Sequence, residues 1–202
     1  MMKITPMFCK PLIEVNIDID INIDIEKIFL KFKHETHTPL CKLTLDMNII
    51  NKPKFKRLKK VLNKVLKDVN EKVWKIDREL MMTTSWLTQT NTTGESKPHS
   101  HLNSMFSGVF YFQDSSPITF SHPRTNTIYH PPYENTVYNS ERWTVSPKKH
   151  DLILFPSEII HTIEVNNNPQ SRYSLAFNVL PIGILGYKDS TITIGKEINP
   201  LQ

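Results

Sequence analysis

The chain has little of what usually staples a fold or anchors it in a membrane. Two of its 202 residues are cysteine, Cys9 and Cys41, and neither has another Cys nearby. That excludes a disulfide scaffold and any Cys-rich zinc module, and leaves free thiols suited to a reducing compartment. No apolar run reaches the ~18 residues of a membrane span. Met1 to Pro11 lacks the continuous apolar stretch of a signal peptide. The expectation is a cytoplasmic protein with no membrane partner. Alanine occurs once, at Ala176, and glycine five times, against many Ile, Asn and Lys. That bias looks like the imprint of an AT-rich genome and carries no chemistry.

What is present fits a folded domain. Hydrophobic residues make up 39% and charged residues 22%, close enough to globular averages to exclude wholesale disorder. The length suits one domain and is enough to bury a full core. The net charge of +5 invites a nucleic-acid reading, but it is concentrated. From Lys52 to Arg78 eleven Lys/Arg stand against three Asp/Glu, so the rest of the chain is slightly acidic. The basicity is that of one segment and its flanks. It reads as a solvated helix face or as a contact for nucleic acid or another acidic partner.

Hydrophobic periodicity divides the chain. Val15 to Ile25 alternates Ile with Asn or Asp, the period-2 signature of a half-buried strand. Glu26 to Lys33 could form a short helix, and Cys41 to Leu45 alternates again. Residues 53–73 predict a helix: Pro53 suits its first turn, and Phe55, Leu58, Val61, Leu62, Val65, Leu66, Val69 and Val73 share one face. Beyond Trp74 the pattern turns to strands: Glu79–Thr90, Gly108–Phe112, Ile118–Phe120, Arg142–Ser146, Asp151–Phe155, Ile159–Val165 and Arg172–Leu180. Many short strands at such spacing predict a sandwich or barrel. Thr125 to Ser140 is a long loop without periodicity, the kind that is usually functional.

Three elements could carry chemistry. His99-Ser100-His101 precedes the Gly108 strand, and residues i and i+2 of an extended segment project to the same side, offering two imidazoles to one metal ion. His161 lies in a later strand and could close a three-point face. Arg172 follows it by eleven residues, after a turn at Asn166 to Pro169, on a strand expected to return alongside that of His161. An inward Arg needs an anion. Its fork suits a carboxylate, with Ser174 on the same face.

As an ordered set these residues resemble the iron(II)/2-oxoglutarate-dependent oxygenases, and more closely the 2OG-Fe(II) oxygenases common in bacterial and phage genomes. The resemblance runs through Pro98-His99-Ser100-His101, Ser107-Gly108-Val109-Phe110-Tyr111-Phe112, and Ile118-Thr119-Phe120 leading to Pro123-Arg124. It continues with Val145-Ser146-Pro147, Asp151 to Ser157, His161, and Arg172-Tyr173-Ser174-Leu175-Ala176-Phe177-Asn178-Val179. It covers roughly residues 79–181. The first half resembles the family only in layout, a strand and then helices packed on the barrel.

The resemblance implies an α+β fold with a double-stranded β-helix (jelly-roll, cupin-like) core. Within a single domain of residues 1–202, residues 1–78 would give an N-terminal strand and helical support. Residues 79–181 would form the core and 182–202 a C-terminal tail. It implies Fe(2+) on His99, His101 and His161, and 2-oxoglutarate on Arg172 and Ser174, with Tyr111 as a second contact. Dioxygen and an unidentified substrate complete the partners, with decarboxylation to succinate coupled to hydroxylation. Arg124 could pair with substrate or sit in a structural salt bridge. His101 stands where the wider superfamily has an acidic residue; Asp114 and Glu95 are the nearest acids that could replace it. His150 stands where the closer family usually has Gly, at an expected tight turn. His122 and His130 read as surface residues. Two rival readings remain. One is a cupin-like metal-dependent isomerase or binding protein without 2-oxoglutarate. The other is a non-enzymatic nucleic-acid module using helix 53–73.

Overall fold

The computed structural model describes residues 2–5, 9–17, 19, 23–122 and 133–195. Arg124, His130 and the first half of the 125–140 loop lie outside the described residues. Two sheets face each other. The larger has the order β1-β8-β5-β10-β4-β3-β2. It is built from β1 (Ile13–Asn16), β2 (His34–Thr38), β3 (Cys41–Thr44), β4 (Leu80–Thr90), β5 (Phe106–Tyr111), β8 (Asp151–Pro156) and β10 (Arg172–Pro181). The smaller, β7-β6-β9, uses β6 (Ile118–Ser121), β7 (Arg142–Val145) and β9 (Ile160–Ile163). All strand pairs are antiparallel, as in a double-stranded β-helix. A third pair, β11 (Gly183–Leu185) with β12 (Ile192–Ile194), forms a hairpin. The expected C-terminal tail is therefore structured up to Gly195.

Alternation along the strands builds two cores. In β10, Tyr173, Leu175, Phe177 and Val179 join the core on the outer face of the large sheet, while Arg172, Ser174 and Ala176 face the other sheet and line a cavity. In β5 and β8, Val109, Tyr111, Ile153 and Phe155 turn inward, and Phe110, Leu152 and Leu154 turn outward. Period-2 patterning on a sheet buried on both sides produces this division. Gly108 sits where it must: a Cβ there would run into the Phe177 ring and Leu154.

Helix α2 (Lys56–Val69) covers the outer core. Its buried side is Leu58, Leu62, Leu66 and Val69, continuing Phe55 from a short 3-10 turn that starts at Pro53. A wider turn, Asn70–Trp74, follows, and Lys75 ends it at φ 51°. The Asn70 side chain bonds both the N–H and the carbonyl of Ile76, and the Trp74 ring stacks on Phe106. Lys56, Lys60, Lys64 and Lys67 stay exposed on the far side. The expected amphipathic helix is thus present, and its lysines lie on the opposite side of the large sheet from the cavity.

The structure corrects three expectations. Among the described residues of the Ile/Asp/Asn run, Ile13–Asn16 form a strand paired with β8, and Ile25, the end of the run, opens helix α1 (Ile25–Phe29). Asp24 caps that helix, its carboxylate accepting from Lys27 N–H. Secondly, β10 does not run beside the His161 strand; it lies between β5 and β4 in the large sheet. Its large apolar residues need the outer core, so β10 takes an interior place, while β9 pairs with β6. Thirdly, residues 34–44, ambiguous in sequence, form a β2–β3 hairpin at the sheet edge.

Candidate metal centre

The imidazoles of His99, His101 and His161 offer ligand atoms that all lie within 4.8 Å of one another. Their positions follow from backbone pairing. His99 and His161 form an isolated antiparallel bridge, and His101 N–H donates to the Ser157 carbonyl at 2.9 Å. The His-x-His segment is therefore extended, as expected, but sits outside the named strands. Ser157 is held in turn by a hydroxyl network to Ser107 and Ser104, and Ser107 bonds Asn178.

Backbone carbonyls also set the rings. His99 Nδ1 lies 2.8 Å from the Lys97 carbonyl and His161 Nδ1 lies 3.1 Å from that of Ile159. A carbonyl can only accept, so each Nδ1 carries the proton and each Nε2 keeps its lone pair for a metal. Burial and the neighbouring His99 push His101 down to about 4 and His161 down to about 3. Both rings are neutral at ordinary pH, the form a metal requires. Among the described residues no acid joins this cluster. Asp114 is exposed and bonded to Lys148 and Lys149, and Glu95 is exposed.

The imidazoles open into a cavity of about 330 Å³ that Arg172 and Ser174 also line. Arg172 is 2% exposed. It donates one long bond of 3.4 Å to Ser174 Oγ, and its Nε has no partner. Burial pushes its basicity down, yet no carboxylate of the described protein pairs with it. The Tyr111 hydroxyl is also buried without a partner and interacts electrostatically with Arg172; burial pushes its pKa up. A buried guanidinium beside two hydroxyls and a metal-ready imidazole face is a receptor for an anion that also reaches the metal.

A family model described as "Putative 2OG-Fe(II) oxygenase" matches residues 84–178, the stretch that carries all three imidazoles, Arg172 and Ser174. That stretch, just under half of the chain, is similar to the 2OG-Fe(II) oxygenases. Iron(II) and 2-oxoglutarate are the cofactors of these oxygenases, and the neutral imidazole cluster and unpaired Arg172 fit them. Solved structures agree on the fold. HygX from Streptomyces hygroscopicus, with nickel, 2-oxoglutarate and hygromycin B bound, shares it at TM-score 0.60 and 10% identity, over 85% of this chain and 83% of that one. SnoK, an alpha-ketoglutarate-dependent carbocyclase from nogalamycin biosynthesis, does so at 0.64 and 10% identity, over 86% and 81%. A 2OG-Fe(II) oxygenase-family oxidoreductase from Burkholderia pseudomallei does so at 0.55 and 11%, over 77% and 75%. No curated protein matches the chain. No helix among the described residues is long and apolar enough to cross a membrane.

Other residues singled out in the sequence lie apart from this oxygenase centre. His150 occupies a turn at φ 69°, a backbone that favours glycine, in line with the tight turn expected there. His122 is exposed, and its N–H bonds the Glu141 carbonyl. Sequence reasoning missed the opposite wall of the cavity. Glu35 and His37 from β2, Cys41 and Leu43 from β3, and Met47 just beyond all line it. The signal was the alternation in 34–44, broken by Thr38-Pro39-Leu40 into a hairpin.

Proposed function

We propose that the protein is an Fe(II)/2-oxoglutarate-dependent dioxygenase that hydroxylates a substrate C–H bond and converts 2-oxoglutarate to succinate. The observation that carries this reading is the unpaired, buried Arg172 on the same cavity as the three imidazoles. His99, His101 and His161 would hold the iron through Nε2 of His99 and His161 and one nitrogen of His101. When bound, iron and 2-oxoglutarate together supply the activation of dioxygen, which no side chain of the protein can provide.

The chain's own residues orient and shield. Arg172 would take the far carboxylate of 2-oxoglutarate in its planar fork, with Ser174 and the Tyr111 hydroxyl donating beside it. Apolar walls at Val109, Ile163 and Ala176 keep that end of the cavity dry, which strengthens each charge-assisted bond. The Lys97 and Ile159 carbonyls keep the imidazole protons away from the metal side. The cavity takes walls from both the 1–78 and 79–181 segments, which supports treating residues 1–202 as one functional domain.

Arg172 also supports this reading over a cupin-like protein without 2-oxoglutarate, which has no use for a buried cation facing the metal. The test is anaerobic titration of the purified protein with Fe(II) and 2-oxoglutarate. A visible metal-to-ligand charge-transfer band is expected and should vanish in Arg172→Ala. No band at saturating metal would remove the co-substrate assignment.

A further inference from the structure

The cavity has two sides of different origin. The imidazoles, Arg172, Ser174 and Trp86 belong to the segment shared with the family, whereas Glu35, His37, Cys41, Leu43 and Met47 lie before it. Ladder registers order this second wall. Cys41 stands opposite Thr90, which stands opposite Arg172, so Cys41 is at the co-substrate end. Leu43 stands opposite Thr88 on one side and Glu35 on the other. Glu35 is therefore on the edge strand, at the solvent end of the row that runs inward through Leu43 and Thr88 to Ser174. His37, two residues on, meets the His99 ring with centroids 6.1 Å apart, and Trp86 meets the His101 ring at 5.6 Å.

Glu35 is the one carboxylate among the residues lining the cavity, and it has no ion pair or side-chain hydrogen bond within the described protein. The apolar side chains of Leu43 and Met47 and the indole of Trp86 line the same cavity. Charge then sets the orientation of a guest. Imidazole ligands bring no negative charge, so a divalent metal and Arg172 together exceed the two carboxylates of 2-oxoglutarate; the inner end then repels a cation and the outer end, at Glu35, attracts it. The indole of Trp86 in the same cavity favours the same sign. A neutral guest gains nothing from Glu35, and an anion would lead with its charge toward the metal.

We propose that the β2–β3 hairpin is the substrate-recognition wall and that the substrate is a small organic cation. Its charged nitrogen is anchored by Glu35 at the mouth, and its aliphatic portion runs along Leu43, Met47 and Trp86 so that a C–H bond reaches the metal. The assignment rests on the oxygenase reading above and adds the chemical class of the substrate.

The test uses the whole protein loaded with Ni(II), which holds the site without turnover, and calorimetric titration. 2-Oxoglutarate is titrated first, then three matched probes: n-hexylammonium, n-hexanol and hexanoate. The ammonium should bind about fivefold more tightly than the alcohol, the gain expected of an exposed ion pair, and hexanoate most weakly. Glu35→Gln should remove the ammonium preference and leave hexanol binding unchanged. Leu43→Trp, which fills the channel, should weaken all three. Equal or tighter binding of hexanoate, no ammonium binding, a preference that survives Glu35→Gln, or probe binding unchanged by Leu43→Trp would overturn the proposal. Failure of 2-oxoglutarate to bind while the Glu35-dependent preference persists would instead overturn the oxygenase reading and leave the cation site standing.

Discussion

His99 and His161 exchange a pair of backbone hydrogen bonds, His99 N–H to the His161 carbonyl at 3.0 Å and His161 N–H to the His99 carbonyl at 2.9 Å. Their ring centroids are consequently 4.4 Å apart. Residues far apart in sequence are thus aligned by main-chain hydrogen bonds that involve no metal ligand atom. The site is preorganised, and removing metal should leave both rings near their bound positions. His161→Ala should lower divalent-metal affinity by more than about 100-fold, since loss of a supporting group alone costs up to that much. The circular dichroism of the apo variant should stay native. For His101, a comparable loss on His101→Ala checks its place in the ligand set, and unchanged iron affinity would remove it.

Arg172→Met separates stability from function. Replacing an unpaired buried cation by an apolar side chain of similar length removes a desolvation penalty. The metal-free and co-substrate-free variant should be more stable than the parent, by about 1–4 kcal/mol in denaturant unfolding. The same variant should lose 2-oxoglutarate affinity by about 100-fold or more. Thermal-shift titrations read both: a higher starting Tm, and no further rise with co-substrate.

Stability of the apo protein should depend on pH with a defined sign. His101 and His161 titrate at about 4 and about 3 when folded, against ~6.5 when unfolded. Between those values the unfolded chain binds more protons, so stability is full above pH ~6.5 and falls as pH drops toward 4 and then 3. Tm measured from pH 8 to pH 4 should show this decline, and His161→Gln should flatten it. Metal affinity should hold to lower pH than at exposed histidines, because His101 and His161 resist protonation above about pH 4–5.

Gly108→Ala should destabilise the fold without touching the cavity. Its new methyl would meet the Phe177 ring and Leu154 on the outer core. Overpacking of that kind costs about 1–3 kcal/mol. Chemical denaturation should show that loss, with 2-oxoglutarate binding retained at temperatures where the variant is folded.

Charge reversal at Lys56, Lys60 and Lys64 should leave metal and 2-oxoglutarate binding unchanged. These residues are exposed on α2, across the large sheet from the cavity. Calorimetry on the triple variant checks this. A large change in either affinity would show that the helix communicates with the site.

Much was readable from residue order. The α2 stripe of Leu58, Leu62 and Leu66 and the strand alternation of β4, β5, β8 and β10 are local periodicities, and each produced the element it implied. The imidazoles and Arg172 were readable because family spacing carries them. The ends of elements were less so: the Ile/Asp/Asn run kept its alternation past Asn16, but Asp24 capped a helix instead, a competition between two local hydrogen-bond patterns that periodicity does not register.

By itself, then, the sequence determined which side chains exist on which face of which strand, because period 2 and period 3.6 are properties of neighbouring residues. It placed three imidazoles and one arginine on inward faces and confined the net basicity to one helix. Only the tertiary structure decided which strands meet. It set β10 between β5 and β4 rather than beside β9, since Tyr173, Leu175, Phe177 and Val179 required a second core behind the sheet. It also swung the β2–β3 hairpin to the sheet edge, bringing Glu35, His37 and Leu43 to a cavity whose other walls lie far along the chain. Such pairings are settled by burial summed over the whole molecule, which no local pattern encodes.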